Sequence, residues 1–109
     1  MNIPKSFMGV NRKWHVHVLT ARQLRNRFAK TELNLPDPDT FFGLCVPDTA
    51  CIYLNKDQHA TREFLEHTFC HEMAHAMYFG LGKAEHDEQE IDALGGILHQ
   101  MWTTQRGEQ

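Results

Sequence analysis

Residues 61–80 read Thr-Arg-Glu-Phe-Leu-Glu-His-Thr-Phe-Cys-His-Glu-Met-Ala-His-Ala-Met-Tyr-Phe-Gly, and the rest of the chain is organised around them. Leu65, Phe69 and Met73 recur at every fourth position, and Ala76 and Met77 continue the same apolar side. That period predicts a helix from about Thr61 to Phe79. Gly80-Leu81-Gly82 ends it, with Gly80 suited to a left-handed terminal position. Inside the helix lies His71-Glu72-Met73-Ala74-His75. Histidines at i and i+4 stand one turn apart on one face. Their ring nitrogens can reach one ion at the roughly 2.0–2.1 Å that zinc requires. Glu72 is rotated from His71 by about 100°. It flanks the ion, placed to take a proton from a zinc-bound water and pass it to a leaving amine. Three fixed residues in this spacing arise by chance in well under about 1% of chains this short.

A catalytic zinc needs a third protein ligand and an open fourth position. The extended metzincin pattern places a histidine six residues after His75, where this chain has Leu81, so that subclass is excluded. The other common solution is a carboxylate from the next helix. Glu85, Asp87, Glu88, Glu90 and Asp92 are the candidates, with His86 beside them. Asp87 and Glu90 are three apart at a helix start, which fits a capping box. Glu88 and Asp92 are four apart on one face. Glu88 can therefore bind zinc while Asp92 accepts a hydrogen bond from the other ring nitrogen of His71, fixing its tautomer. Glu88 leads, and Glu90, Glu85 and His86 stay open behind it. Tyr78 is the candidate donor to a developing oxyanion, with His86 and His67 behind it; the default role of each is at the surface or in packing. His15 and His17 share a face that reads as solvent-exposed strand, His99 reads as structural, and Cys70 points about 100° away from His71.

Outward from this helix, Trp14-His15-Val16-His17-Val18 alternates and reads as a half-buried strand. Thr20 caps a helix from about Ala21 to Lys30 with Leu24 and Phe28 inward. Leu35-Pro36-Asp37-Pro38-Asp39 makes a loop. Phe41–Val46 and Ala50–Asn55 are apolar runs around Pro47-Asp48-Thr49 and read as a β-hairpin. A last helix from about Asp87 to Thr103 turns Ile91, Leu94, Leu98 and Met101 inward. Gly95-Gly96 weakens its middle by roughly 1 kcal/mol per glycine, a cost that close approach of a neighbouring backbone would explain. Gln105–Gln109 reads as a frayed tail. The expected fold class is α+β, one domain over residues 1–109, with a small antiparallel-rich sheet (strand plus hairpin) packed on about three helices, largely on one side.

The totals exclude several classes. The chain has 109 residues with net charge −3, no repeat and no apolar run long enough to cross a bilayer. The charge gives no global attraction to nucleic acid or anionic membrane. The basic stretch from Arg22 to Lys30 reads as a solvated helix face. Met1–Val10 lacks the shape of a secretory signal. Three cysteines, Cys45, Cys51 and Cys70, match no zinc-ribbon spacing and read as reduced thiols. The expected location is cytoplasmic, in a bacterium or a phage-infected cell. The expected partner is a protein or peptide substrate, with no nucleic acid and no membrane.

The stretch Ile52–Leu98 resembles the small gluzincin-type peptidases of the ImmA/IrrE group, in its minimal phage-type version. Ile52-Tyr53-Leu54-Asn55, Thr68-Phe69-Cys70-His71-Glu72-Met73-Ala74-His75, and then Glu88, Ile91-Asp92 and Leu94-Gly95-Gly96 carry the resemblance. It departs at Ile91, where the group prefers alanine, and at Asp92, where it prefers asparagine. The resemblance implies a zincin-like domain with His71, His75 and Glu88 as zinc ligands and Glu72 as general base. It also implies that the strand near Ile52 pairs with an extended substrate. The sequence therefore reads as a zinc metalloprotease that hydrolyses a peptide bond in a protein substrate. Its rivals are a zinc-containing binding module without activity and a protease acting on DNA-bound proteins.

Overall fold

The alternation around Trp14 becomes the inner strand β2 (Arg12–Leu19) of a four-stranded sheet in the computed structural model, which describes residues 2–107. Trp14 and Val16 turn into the core and His15 faces out, as a period of two dictates. The expected hairpin forms from β3 (Gly43–Val46) and β4 (Cys51–Asn55), paired antiparallel. Ala50, at φ 53°, closes the turn between them. An additional strand, β1 (Ser6–Gly9), pairs antiparallel with β2 through a tight turn at Asn11 (φ 62°), in a segment the sequence had marked only as lacking a signal. The strand order is β1-β2-β4-β3, and β2 and β4 run parallel. The sheet is therefore mixed.

Helix α1 (Ala21–Phe28) starts at Thr20 in a full capping box, with Gln23 reaching back to the Thr20 amide at 2.9 Å. It covers one face of the sheet, where Leu24 packs with Val46, Tyr53, Phe28 and Phe41. Helices α2 (Arg62–Gly80) and α3 (Glu88–Gly107) cover the other face. There Trp14, Val16, Ile52, Leu54, Phe69 and Cys70 form the main core. The helices thus sit on both faces, two against one, because β4 is apolar on both sides, with Ile52 and Leu54 in the core under α2 and Tyr53 in the core under α1. Among the described residues no helix is long and apolar enough to cross a membrane.

Several local expectations change. The left-handed residue after α2 is Gly82 (φ 80°), while Gly80 is the last helical residue, where a Cβ would meet the Val10 side chain at 2.8 Å. Ile52 lies on β4, an interior strand paired on both sides, so it offers no edge to a substrate; β3 is the free edge on that side. Met101 is exposed, and Trp102 takes the inner place against Phe69. The backbone of α3 stays helical through Gly107, and residues 108–109, the end of the expected tail, lie outside the described residues. Of the two mid-helix glycines only Gly95 meets a neighbour, since a Cβ there would lie 3.0 Å from the His71 Cα, whereas Gly96 faces open space.

That contrast predicts opposite signs for two substitutions. Gly96→Ala should stabilise by up to about 1 kcal/mol, the helix-propensity gain. Gly95→Val should destabilise by about 1–3 kcal/mol, because backbone cannot move aside as a side chain can. Denaturant unfolding of the two variants measures both.

Candidate metal centre

Helix α2 begins at Thr61, whose hydroxyl accepts from the Phe64 amide, and its register is held by Phe69, Cys70, Ala74 and Ala76 in the core. That burial turns His71 and His75 toward α3, with ring centroids 5.0 Å apart. Asp87 stands just before helix α3, and its carboxylate accepts from the Gln89 amide at 2.8 Å. Glu88, the first residue of α3, reaches back over both rings. Its Oε2 is 3.5 Å from His71 Nε2, and its Oε1 is 3.4 Å from His75 Nε2. Ligands about 2.0–2.1 Å from one tetrahedral ion stand roughly 3.3–3.5 Å from each other, and each imidazole nitrogen lies about that far from a Glu88 oxygen. His71, His75 and Glu88 are the group that could hold a metal among the described residues. The Glu88 side chain is 67% exposed. As a plain ion pair it would contribute at most about 1 kcal/mol, so stability alone does not account for its convergence on two imidazoles.

Hydrogen bonds orient both rings. His71 Nδ1 lies 2.8 Å from Asp92 Oδ1. A carboxylate only accepts, so the proton is on Nδ1 and the Nε2 lone pair faces Glu88. Asp92 therefore stands behind His71 as its spacing from Glu88 suggested. His75 finds its counterpart in His86, a residue the sequence considered as a ligand or oxyanion donor. His86 Nε2 lies 2.8 Å from the Lys83 carbonyl and must donate to it. Neutral His86 then presents a bare Nδ1, which accepts from His75 Nδ1–H at 2.6 Å. The Nε2 of His75 is again left as a lone pair toward Glu88. Burial pushes the His75 imidazole below its ordinary range, which favours that neutral form.

Glu72 is buried beside this group, under Gly43 of β3. A Cβ at Gly43 would lie 2.8 Å from both Glu72 Cγ and Thr68 Cγ2, so only glycine lets the edge strand lie this close to α2. Burial first, and the charge of Glu88 second, push the Glu72 carboxyl up to about 8. Burial and the Glu72 charge likewise raise the Cys45 thiol, keeping it protonated.

Two clefts open on either side of Glu72 and share Gly43, His71 and Glu72 in their walls. One, of about 370 Å³, is flanked by Phe42 and Phe64; the other, of about 480 Å³, by Cys45, Phe79, His86 and Glu88. The free backbone edge of β3 borders both. The Asn55 amide donates to the Phe42 carbonyl, so residues 42, 44 and 46 bond to β4 while the N–H and C=O groups of Gly43 and Cys45 point outward.

Other residues named from the sequence lie elsewhere. The Tyr78 hydroxyl donates to Glu90 Oε2 at 3.0 Å, which engages both the candidate oxyanion donor and the second-ranked carboxylate away from the imidazoles. The Glu90 bond also replaces the reciprocal half of the expected capping box. Glu85 is exposed on the connecting loop and Cys70 is fully buried. His67 packs at a tilt against His99 (ring centroids 4.1 Å), and His99 is held by Glu66 at 3.1 Å. His15 is exposed and His17 is half-buried, beside Arg27. Gly43 and its strand edge escaped the sequence reading, although a glycine inside an apolar strand-like run is a signal of close backbone approach.

A model of the SprT-like family matches residues 8–93. No curated protein and no solved structure matches the chain. The family belongs to the zincin-like metallopeptidase superfamily and is associated with zinc, so the resemblance to the ImmA/IrrE group holds at superfamily level, and the family within it is SprT-like.

Two measurements follow from this geometry. Asp92→Ala and His86→Ala should each weaken zinc binding by about 10–100-fold, read by competition with a chromophoric chelator. In metal-free protein, the raised Glu72 value means the folded state keeps a proton that the unfolded chain releases above the ordinary 4.5. Stability is thus lost as pH rises from there to about 8. Glu72→Gln should therefore raise the melting temperature of the apo-protein increasingly between about pH 5 and 8 and level off above that, with each 1 kcal/mol worth roughly 4–8 °C.

Proposed function

The chain belongs to the SprT-like family, and from that premise we propose that it is a zinc metallopeptidase that hydrolyses peptide bonds of a protein substrate held in extended form. The observation that carries the proposal is the buried Glu72 carboxyl lying between three convergent ligand atoms and an unpaired strand edge. His71, His75 and Glu88 hold the metal. Zinc, when bound, supplies Lewis acidity for the scissile carbonyl and for water.

The residues of the chain do the rest. The outward amide and carbonyl of Gly43 and Cys45 pair with the substrate backbone, adding it to the sheet as a further strand. Such pairing recognises any extended peptide, so it fixes register without demanding a sequence. Gly43 lies against Glu72, so the pairing brings the scissile bond beside that carboxylate. Glu72 takes a proton from the attacking water and delivers it to the leaving amine. A carboxyl whose free-protein value lies near neutrality suits both halves of that exchange, because the same group must accept and then donate near its working pH. Asp92 and His86 hold the imidazoles in the tautomer that leaves Nε2 free.

Glu72→Gln keeps size and hydrogen bonding but cannot carry the proton. It should retain one zinc per chain by elemental analysis and lower kcat by about 10²–10⁴-fold on peptide mixtures scored by mass spectrometry. A zinc-loaded wild-type protein that leaves such mixtures and unfolded proteins intact would mean a binding module instead. Equal cleavage by wild type and variant would remove Glu72 from the mechanism.

A further inference from the structure

Helix α1 lies on the face of the sheet opposite the metal centre, and beside it is a further cleft of about 560 Å³. Leu19 and Tyr53 wall it from the sheet, and Gln23, Asn26, Arg27 and Lys30 from α1 and the turn that ends it. No carboxylate is among them. The two arginines in the last turn of α1 are placed in opposite circumstances. Arg25 is neutralised by Asp37 at 3.3 Å and Asp39 at 2.9 Å. Arg27 has no acidic partner among the described residues and rests on His17. Its Nη1 is 3.3 and 3.4 Å from the two nitrogens of that ring. In the ring plane, such near-equal separations would drive it into the carbon between them, so it lies over the imidazole face. The imidazole in turn stacks on Tyr53, with centroids 5.2 Å apart. Burial first, and the charge of Arg27 second, hold His17 below its ordinary range, so a neutral ring supports the cation. The guanidinium is thereby fixed in place with most of its N–H groups uncommitted.

We propose that this cleft binds a small phosphomonoester, with its phosphate on Arg27 and Lys30 and its organic body against Leu19 and Tyr53. The sheet separates this site from the metal centre, so the proposal stands apart from the peptidase reading. Charge selects the ligand class. Arg27 and Lys30 are two cations without a lining carboxylate, and the Lys30 amide donates to the Arg27 carbonyl at 3.1 Å, which keeps the two together. A phosphomonoester carries about −1.5 to −2 near pH 7 and matches both, whereas a carboxylate would leave one unmatched. Donors agree with charge. The guanidinium fork suits paired phosphate oxygens. Gln23 accepts from the Thr20 amide through its Oε1 at 2.9 Å, which leaves its NH₂ group to donate beside that of Asn26. The cleft volume falls in the range of small-ligand pockets, about 300–1,000 Å³. A long polyanion fits less well. Asp37 and Asp39 beside Arg25, and Asp57 on the Ala21 amide at 2.9 Å, border α1 and interrupt any continuous basic track.

NMR titration of the zinc-loaded chain tests this, read from the His17 ring and the Arg27 Nε–H. Shifts there distinguish this cleft from phosphate taken up at the metal. The probes are phenyl phosphate, phenyl sulfate (the same shape with less charge) and inorganic phosphate, which lacks the body. Phenyl phosphate should bind with a Kd of about 1 mM or tighter, and at least about fivefold tighter than either of the others. Arg27→Gln and Lys30→Gln should each weaken it about tenfold, the effect of losing one charge-assisted contact. Lys30→Gln leaves the contact of Arg27 with His17 in place, so it reports on the ligand even if the first variant disturbs the ring. Arg22→Gln, on the same helix but outside the cleft, should change nothing. The proposal is overturned by silence of both groups at about 10 mM phenyl phosphate, tenfold above the expected Kd. Equal affinity for the sulfate, or an equal loss in Arg22→Gln, overturns it too. So does a short DNA duplex that shifts these signals at lower concentration than phenyl phosphate and loses its hold steeply with salt, the mark of a nucleic-acid surface.

Discussion

Everything at the candidate centre depends on how closely α3 approaches α2 at Gly95. A side chain there would press on the backbone of His71, and its absence lets the two helices meet. From that point α3 can be read backwards toward its start. Asp92, three residues earlier, meets the far nitrogen of His71, and Glu88, a further turn back, reaches Nε2 of both His71 and His75. Ile91 on the same side is fully buried and fixes the rotation of the helix. One absent methyl group therefore sets the distance, and the 3.6-residue period converts it into the placement of two carboxylates.

The local half of this arrangement was legible. Helix α2, the facing of His71 and His75, and the pairing of Glu88 with Asp92 follow from spacing alone, because helix geometry is fixed over one or two turns. Gly95 was legible as a close approach, and Gly96 was not separable from it, since the two differ only in which way α3 faces. The non-local half was hidden. β1 is four residues long with little alternation, and its partner is chosen across a turn that only Asn11 marks. Parallel pairing of β2 with β4 leaves no short-range trace, and without it Ile52 looks like an edge when it is central. His86 was visible as an imidazole near the site. Its service to His75 depends on the Lys83 carbonyl, which no side-chain pattern encodes.

Two carboxyl groups of one site are kept in different electrical surroundings. Glu88 is largely exposed at the start of a helix, where the aligned backbone N–H groups favour negative charge. Glu72 is under the edge strand with little water and with Glu88 as a like-charged neighbour. The second is thereby suited to gain and lose a proton. Gly43 is the source of that difference, since the same strand that presents its backbone outward also seals Glu72 beneath it.

The connection from Leu81 to Asp87 adds almost nothing to the core, and five of its residues up to Glu85 are exposed. The register between the helices is set at Gly95 and Ile91, well past this connection. Lengthening it would change closure entropy by only about 0.6 kcal/mol per doubling and would leave Glu88 where it is. The interval between His75 and the carboxylate that meets it can therefore lengthen in evolution so long as Lys83 and His86 keep their place against His75, whereas the interval from Glu88 to Gly95 cannot. Searches for distant kin should hold the second spacing fixed and let the first one float.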